Sequence, residues 1–298
     1  MIDRYSVEGT AQERARFRAL PKGFRRLPLR ILLYYALICG AVYFVQKKLL
    51  YFPGHQPLDR TIEAAGGHGL TMWPAADEAY HGFVREPERP PAKGTVLVFH
   101  GNAGTAQDRG FYADALCPLG YRVLLIEYPG YGSRGGDVGE KPFVSAARES
   151  VELAGKQFGL PLFVMGESLG AAVGAAGAAQ ADIQVAGAAA ITPWHNLPDL
   201  AQSIYWYLPA KWLARDQYDN AENLNALDAR VAVCIAGDDS IIPPFHGERL
   251  FDDLTGRKRK WVFPGAGHNS WPIEAGEPWW SQVMNFLSGR DSDPVPSP

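Results

Sequence analysis

The stretch Gly166-Glu167-Ser168-Leu169-Gly170 constrains this chain more than any other. Before it lies a short apolar run, Pro161-Leu162-Phe163-Val164-Met165, of the composition a buried parallel strand needs. After it, Ala171 to Ala181 is almost wholly Ala and Gly, so a helix there can press close against a sheet. Strand, sharp turn and helix in that order raise the serine at the sheet's carboxyl edge, and the flanking glycines leave room for the turn. A serine presented in this way is a candidate nucleophile.

Length and composition bound the rest. The chain has 298 residues, is 47% hydrophobic and carries a net charge of -3. That suits one large globular domain with terminal extensions. The charge balance excludes nucleic acid as a predicted partner. Cys39, Cys117 and Cys234 are scattered and odd in number, so they build neither a disulfide framework nor a zinc site. Neither a metal nor a cofactor is implied.

Ile31 to Val45 is uncharged throughout, and the apolar pattern resumes at Leu49-Leu50-Tyr51-Phe52. Fifteen helical residues rise only ~22 Å, but Ile31 to Phe52 spans about 33 Å, enough for the ~30 Å hydrocarbon core if Lys47 and Lys48 snorkel. Arg14, Arg16, Arg18, Lys22, Arg25, Arg26 and Arg30 precede the segment, against Lys47 and Lys48 after it. The positive-inside bias then places the N-terminus in the cytoplasm and the large domain across the membrane, which in a bacterium is the periplasmic side of the inner membrane. A cleaved signal peptide fits less well, since Cys39-Gly40-Ala41 is a poor cleavage site. A buried core helix or one lying in the interface fits the same run.

From Thr71 onward strand-like and helix-like segments alternate. Strands are predicted over 80–84, 95–99, 121–127, 161–165, 185–191, 231–236 and 260–263, and helices over 111–119, 143–158, 171–181, 244–254 and 277–287. Such alternation means βα units in an α/β fold with a doubly wound, mostly parallel sheet. The expected organisation is a basic arm (1–30), a membrane anchor (31–52), a catalytic domain (53–290) and a polar, disordered tail (291–298). Within the domain, 194–228 is long and aromatic, with Trp194, Tyr205, Trp206, Tyr207, Trp212 and Tyr218. Those aromatics serve either the core or a cap over the active site that lends apolar walls to an acyl substrate.

A serine hydroxyl needs a base to take its proton and a third group to orient that base. In a sheet of this kind the chain order is serine, acid, histidine. The apolar run ending at Ala236 leads into Gly237-Asp238-Asp239, so two adjacent carboxylates stand at the right edge. Of His195, His246 and His268, only His268 follows the last strand, in the loop Pro264-Gly265-Ala266-Gly267-His268-Asn269. Two backbone N–H groups should form an oxyanion hole. Leu169 supplies one. Asn102, in the turn His100-Gly101-Asn102-Ala103-Gly104 after the strand at 95–99, is the choice for the other. His100 is expected to hold that loop.

Taken as an ordered set, these pieces resemble the α/β-hydrolase superfamily, and within it the membrane-anchored α/β-hydrolase-domain proteins that include lipid-thioester hydrolases and serine-aminopeptidase-like members. The resemblance rests on Leu49-Leu50-Tyr51-Phe52-Pro53, His100 to Gly104, Tyr128-Pro129-Gly130-Tyr131-Gly132-Ser133, Gly166 to Gly170, Asp239 to Pro244 and Gly267-His268-Asn269. Family members carry the acid in a D-x-x-[IV]-P pattern, which falls on Asp239. The chain departs at Arg230, commonly proline, and at Asp238, often lysine. The resemblance implies a serine hydrolase in which Ser168, His268 and Asp239 cleave carboxylic esters or acyl thioesters through an acyl-enzyme, with a small-molecule or lipid acyl substrate. Two alternatives stand beside it. One is a peptidase on short peptides, with Glu167, Asp199 or Glu222 catching a free N-terminus. The other is an inactive membrane-tethered scaffold.

Overall fold

Both faces of a central sheet must be covered for its apolar strands to stay out of water, and the chain does this with helices on either side. The computed structural model describes residues 22–74 and 79–290. Arg14, Arg16, Arg18, the rest of the arm to residue 21 and the tail 291–298 lie outside them. In chain order the main sheet holds β1 (Thr71–Trp73), β2 (Gly82–Arg85), β3 (Thr95–Phe99), β4 (Arg122–Ile126), β5 (Leu162–Glu167), β6 (Gly187–Ile191), β7 (Arg230–Ala236) and β8 (Lys258–Phe263). Across the sheet they run β8-β7-β6-β5-β3-β4-β2-β1. Strands β3 to β8 are parallel, whereas β2 is antiparallel to β4 and β1 to β2. This is the expected α/β architecture.

The helices are α1 (Lys22–Leu50), α2 (Leu58–Gly66), α3 (Gly110–Leu116), α4 (Glu140–Phe158), α5 (Leu169–Ala179), α6 (Leu197–Ile204), α7 (Ala210–Leu213), α8 (Asn220–Asn225), α9 (Phe245–Asp253) and α10 (Pro278–Leu287). Helix α5 is buried almost all round, which its Ala and Gly side chains permit. Helix α2 falls in a region with no helix expected. Its sequence signals were Pro57 at the N-cap and Asp59 in the first turn.

Between Phe44 and Val45 the described chain divides into two compact units. In the first, α1 begins at Lys22, well before the expected anchor start at Ile31. Its stretch Leu27–Leu50, 24 residues, is long and apolar enough to cross a membrane, about 36 Å at the usual rise. The helix ends at Leu50, two residues short of the expected Phe52. Tyr51 is buried in the second unit, and Phe52 pairs in parallel with Ala103. The domain has claimed both, Tyr51 by burying its side chain and Phe52 through its N–H, which donates to Asn102 O.

The sheet order places the site. After β3 the chain moves to β4 on one side, then crosses back to β5 on the other. That reversal falls at the carboxyl ends of β3 and β5, the ordinary location of ligand sites in open α/β sheets.

Candidate active site

Ser168 stands where β5 gives way to α5. Its backbone lies at φ 52°, ψ -118°, a conformation that L side chains rarely adopt. The turn survives because its neighbours lack side chains. A Cβ built on Gly170 would lie 2.0 Å from the Phe99 carbonyl oxygen, and one on Gly166 would lie 2.2 Å from that of Gly170. The Ser168 amide donates to the Ile191 carbonyl (2.9 Å), locking the turn to β6.

The other predicted residues come from the ends of β7 and β8, adjacent parallel strands. Gly237 N–H donates to Phe263 O and Asp238 N–H to Ala266 O, both at 2.9 Å, so the acid loop is sewn to the histidine loop. His268 Nδ1 meets Asp239 Oδ2 at 2.6 Å. Asp239 Oδ1 accepts from the amides of Ile241 (2.9 Å) and Ile242 (2.8 Å). With the carboxylate facing it, Nδ1 carries the proton, and Nε2 is left with the lone pair a base needs. The Asp239 side chain is buried, while Asp238 is exposed and its carboxylate has no hydrogen bond or ion pair among the described residues. Of the two adjacent acids, Asp239 is the one that meets His268. No hydrogen bond joins Ser168 Oγ to His268 among the described residues.

The loop after β3 abuts the serine. A Cβ on Gly101 would lie 3.9 Å from the Ser168 Cβ. Asn102 accepts through its carbonyl from Phe52 N–H (2.9 Å) and the Tyr131 hydroxyl (2.7 Å), and its side-chain amide donates to Leu50 O (2.9 Å). Its own N–H donates to no group among the described residues, nor does that of Leu169 at the first position of α5. Both amides are therefore available to a developing negative charge.

Residues that sequence reasoning missed hold this loop. Glu127, fully buried at the end of β4, meets His100 Nε2 at 3.0 Å and accepts from the amides of Tyr128 (3.2 Å) and Ala106 (3.1 Å). His100 Nδ1 donates to Gly101 O (2.8 Å), and the Tyr128 hydroxyl donates to His100 O (2.5 Å). With both ring nitrogens engaged, His100 is a brace. The available signal was Glu127 itself, a charge at the end of an apolar run, immediately before Tyr128-Pro129-Gly130. Glu167 is a second brace. It accepts from Arg109 Nε (2.6 Å), Gly101 N–H (3.2 Å) and the Tyr112 hydroxyl (3.2 Å).

The remaining downstream histidines are joined elsewhere. His246 Nδ1 lies 3.1 Å from His195 Nδ1, His195 Nε2 lies 3.0 Å from Asp199, and His246 Nε2 lies 3.0 Å from Ser203 Oγ. Asp199 is also held by Lys211 Nζ at 2.5 Å and by the Asn196 amide at 3.2 Å. Of the acids considered for capturing a peptide's N-terminus, Glu167 and Asp199 are thus already paired with cations, and Glu222 is exposed on α8. The aromatics of 194–228 divide. Trp194 and Tyr218 are core residues, whereas Tyr205, Trp206, Tyr207 and Trp212 are exposed.

Known proteins agree with this architecture. Residues 90–217 match the family described as serine aminopeptidase, S33. An uncharacterized protein of Mycobacterium tuberculosis is 32% identical over 268 residues, covering 84% of this chain and 90% of that protein. The lysophosphatidylserine lipase ABHD12 of Danio rerio is 30% identical over 176 residues, which are 53% of this chain but only 46% of that protein. Among solved structures, a monoacylglycerol lipase of Paleococcus ferrophilus aligns with TM-score 0.52 and 20% identity over 70% of this chain and 99% of its own. An esterase of Pyrococcus furiosus aligns with TM-score 0.56 and 18% identity over 74% and 88%. At that identity the two structures speak for the fold alone. The chain belongs to the α/β-hydrolase superfamily, in its ABHD-like branch. It is a hydrolase carrying an N-terminal apolar helix of membrane-spanning length.

Proposed function

We propose that the protein is a membrane-tethered serine esterase acting on acyl esters or thioesters of lipid character. One observation carries the reading: a serine in a strained turn at the end of β5, with a histidine after β8 whose Nδ1 is fixed by a buried carboxylate after β7. Ser168 Oγ attacks the acyl carbonyl while His268 Nε2 takes its proton. The oxyanion collects two hydrogen bonds, from the amides of Leu169 and Asn102. Collapse expels the alcohol or thiol, which takes the proton back from His268. Water then enters by the same route, giving up its proton to His268, and the acid product and free serine are released. Asp239 holds the tautomer and stabilises the imidazolium throughout. The lipid character draws on the relatives named as lipases and on the apolar helix, which would hold the domain beside its substrate.

In this reading α1 spans the membrane with its basic end in the cytoplasm and the catalytic domain on the opposite side. Fluorophosphonate labelling of the full chain tests the chemistry. Wild type should label at Ser168, the Ser168→Ala variant should not, and wild type should turn over a graded series of p-nitrophenyl and acyl-thioester substrates. Failure of wild type to label would leave the inactive scaffold standing. Faster turnover of aminoacyl amides than of esters would leave the peptidase.

A further inference from the structure

Where α6 joins α7, the surface is composed unlike the rest of the domain. Between Ile204 and Trp212 five large apolar side chains face outward, and Trp206 and Trp212 are 78% and 85% exposed. The segment is nonetheless built firmly. Leu208 and Ala210 are buried beneath it. Gln202 Nε2 donates to Leu208 O (2.9 Å), Leu208 N–H donates to Tyr205 O (2.9 Å), and Lys211 N–H donates to Gln202 Oε1 (3.2 Å). The Trp206 and Tyr207 rings pack edge to face, 5.7 Å apart. Displaying two tryptophans to water on a fixed frame is unfavourable unless something apolar covers them.

A hydrogen-bonded clasp indicates what that is. Gln46 is the first polar side chain after the uncharged run Ile31 to Val45, so in a spanning helix it lies, with the snorkelling Lys47 and Lys48, in the last turns before the interface. Its Nε2 donates to Leu213 O (3.1 Å), and its Oε1 accepts from Arg215 N–H (2.8 Å). Trp212 precedes Leu213 directly and is therefore held at that same depth. Tryptophan and tyrosine, with an apolar body and one polar tip, are the residues that settle in the headgroup layer of a bilayer.

We propose that the α6–α7 segment is a second membrane contact, which seats Trp206 and Trp212 in the phospholipid interface and brings the cap of the domain onto the bilayer surface. The inference rests on α1 being inserted in the membrane, but not on the chemistry at Ser168.

The chain offers a direct readout. Of its eight tryptophans, none falls in Ile31 to Leu50; Trp73, Trp194, Trp271, Trp279 and Trp280 are buried, and Trp261 is half-buried on β8, outside this segment. Full-length protein would be reconstituted into vesicles of phosphatidylcholine, or of the same lipid brominated on its acyl chains, and its emission compared. Two of eight emitters correspond to up to a quarter of the signal, so wild type should lose up to about that fraction in brominated vesicles. The Trp206→Phe/Trp212→Phe double variant, with circular dichroism as the folding control, should lose almost none. Equal wild-type emission in the two lipids would overturn the proposal, and self-association through this face in detergent would then assign it to a protein partner. Quenching that persists in the double variant would overturn it as well. Flotation of the same vesicles reports on α1 separately. A chain that fails to float removes both the anchor and this contact, whereas a chain that floats, is quenched and fails to label with fluorophosphonate removes only the hydrolase reading.

Discussion

Replacing Asp239 by asparagine isolates one electronic property with little change of shape. In the wild type Asp239 Oδ2 faces His268 Nδ1 at 2.6 Å, while Oδ1 accepts the Ile241 and Ile242 amides. Those two amides hold an asparagine with its carbonyl oxygen toward them, because the NH₂ group cannot accept. That group therefore points at His268, where it demands an acceptor at Nδ1 and drives the histidine proton to Nε2. The ring stays in place, but the nitrogen proposed to take the serine's proton no longer has a lone pair. A tautomer error of this kind costs about 10⁴ in kcat, or about 5.5 kcal/mol of transition-state stabilisation. Stability should suffer less. Three charge-assisted hydrogen bonds, from Ile241, Ile242 and His268, become neutral ones at roughly 1 kcal/mol each, a few degrees of Tm. Asp238→Asn is the matched control, since that carboxylate is exposed and unpaired among the described residues. Its effect should stay within about 0.5 kcal/mol, or about twofold. Steady-state hydrolysis of p-nitrophenyl butyrate by the three proteins, with thermal melts, supplies the comparison. Equal losses would mean that the two acids act jointly. An Asp239→Asn enzyme within tenfold of wild type, or the reverse ranking, would refute the argument.

Other expectations follow from particular contacts. Ser168→Gly should abolish ester turnover yet raise Tm by a few degrees in differential scanning fluorimetry, because glycine relieves a φ of 52° that costs serine about 1–3 kcal/mol; a lowered Tm would show that the turn is unstrained. Burial first, and then the neighbouring His195, hold His246 at a pKa of about 4, against its ordinary 6.5, with Arg249 pushing the same way and Asp199 opposing. The folded state thus keeps this ring neutral where the unfolded chain protonates it, so its share of the stability is intact above pH 6.5 and is lost as pH falls from there toward 4. His81, lowered to about 4 by burial and then Arg134, adds a loss in the same window. His246→Gln should therefore flatten, without removing, the fall in Tm between pH 7 and pH 4.5, and an unchanged slope would refute the assignment. For the topology, alkaline phosphatase fused after Leu287 should be active in bacterial cells and a cytoplasm-only fluorescent protein should be dark; the opposite pair of results would place the domain in the cytoplasm.

What the chain declared by itself was whatever depends on neighbours in sequence. The elbow at Ser168 was legible because strand, turn and helix lie within about twenty consecutive residues, and glycine spacing alone dictates the sharp turn. The strands showed as apolar runs because sheet burial acts on each run separately, and α1 showed as one long uncharged apolar run. Where an element starts or stops was less visible. Tyr51 and Phe52 continue the apolar pattern of α1 and leave it only because the domain offers a core site to one and a backbone partner at Ala103 to the other. The choice between Asp238 and Asp239 was likewise closed to the residues alone. Adjacent side chains differ only in direction, and direction is set by the loop that the Ile241 and Ile242 amides fold around one of them. Position after the last strand singled out His268 in the sequence, whereas the pairing of His195 with His246 appeared only in the fold. The aromatics of 194–228 divided for the same reason, since their burial depends on which residues from distant parts of the chain arrive to cover them. Chemistry at a single position can be read in one dimension, but which groups meet is decided by tertiary structure, because side chains far apart in the chain come within hydrogen-bonding distance only when the sheet has set its order.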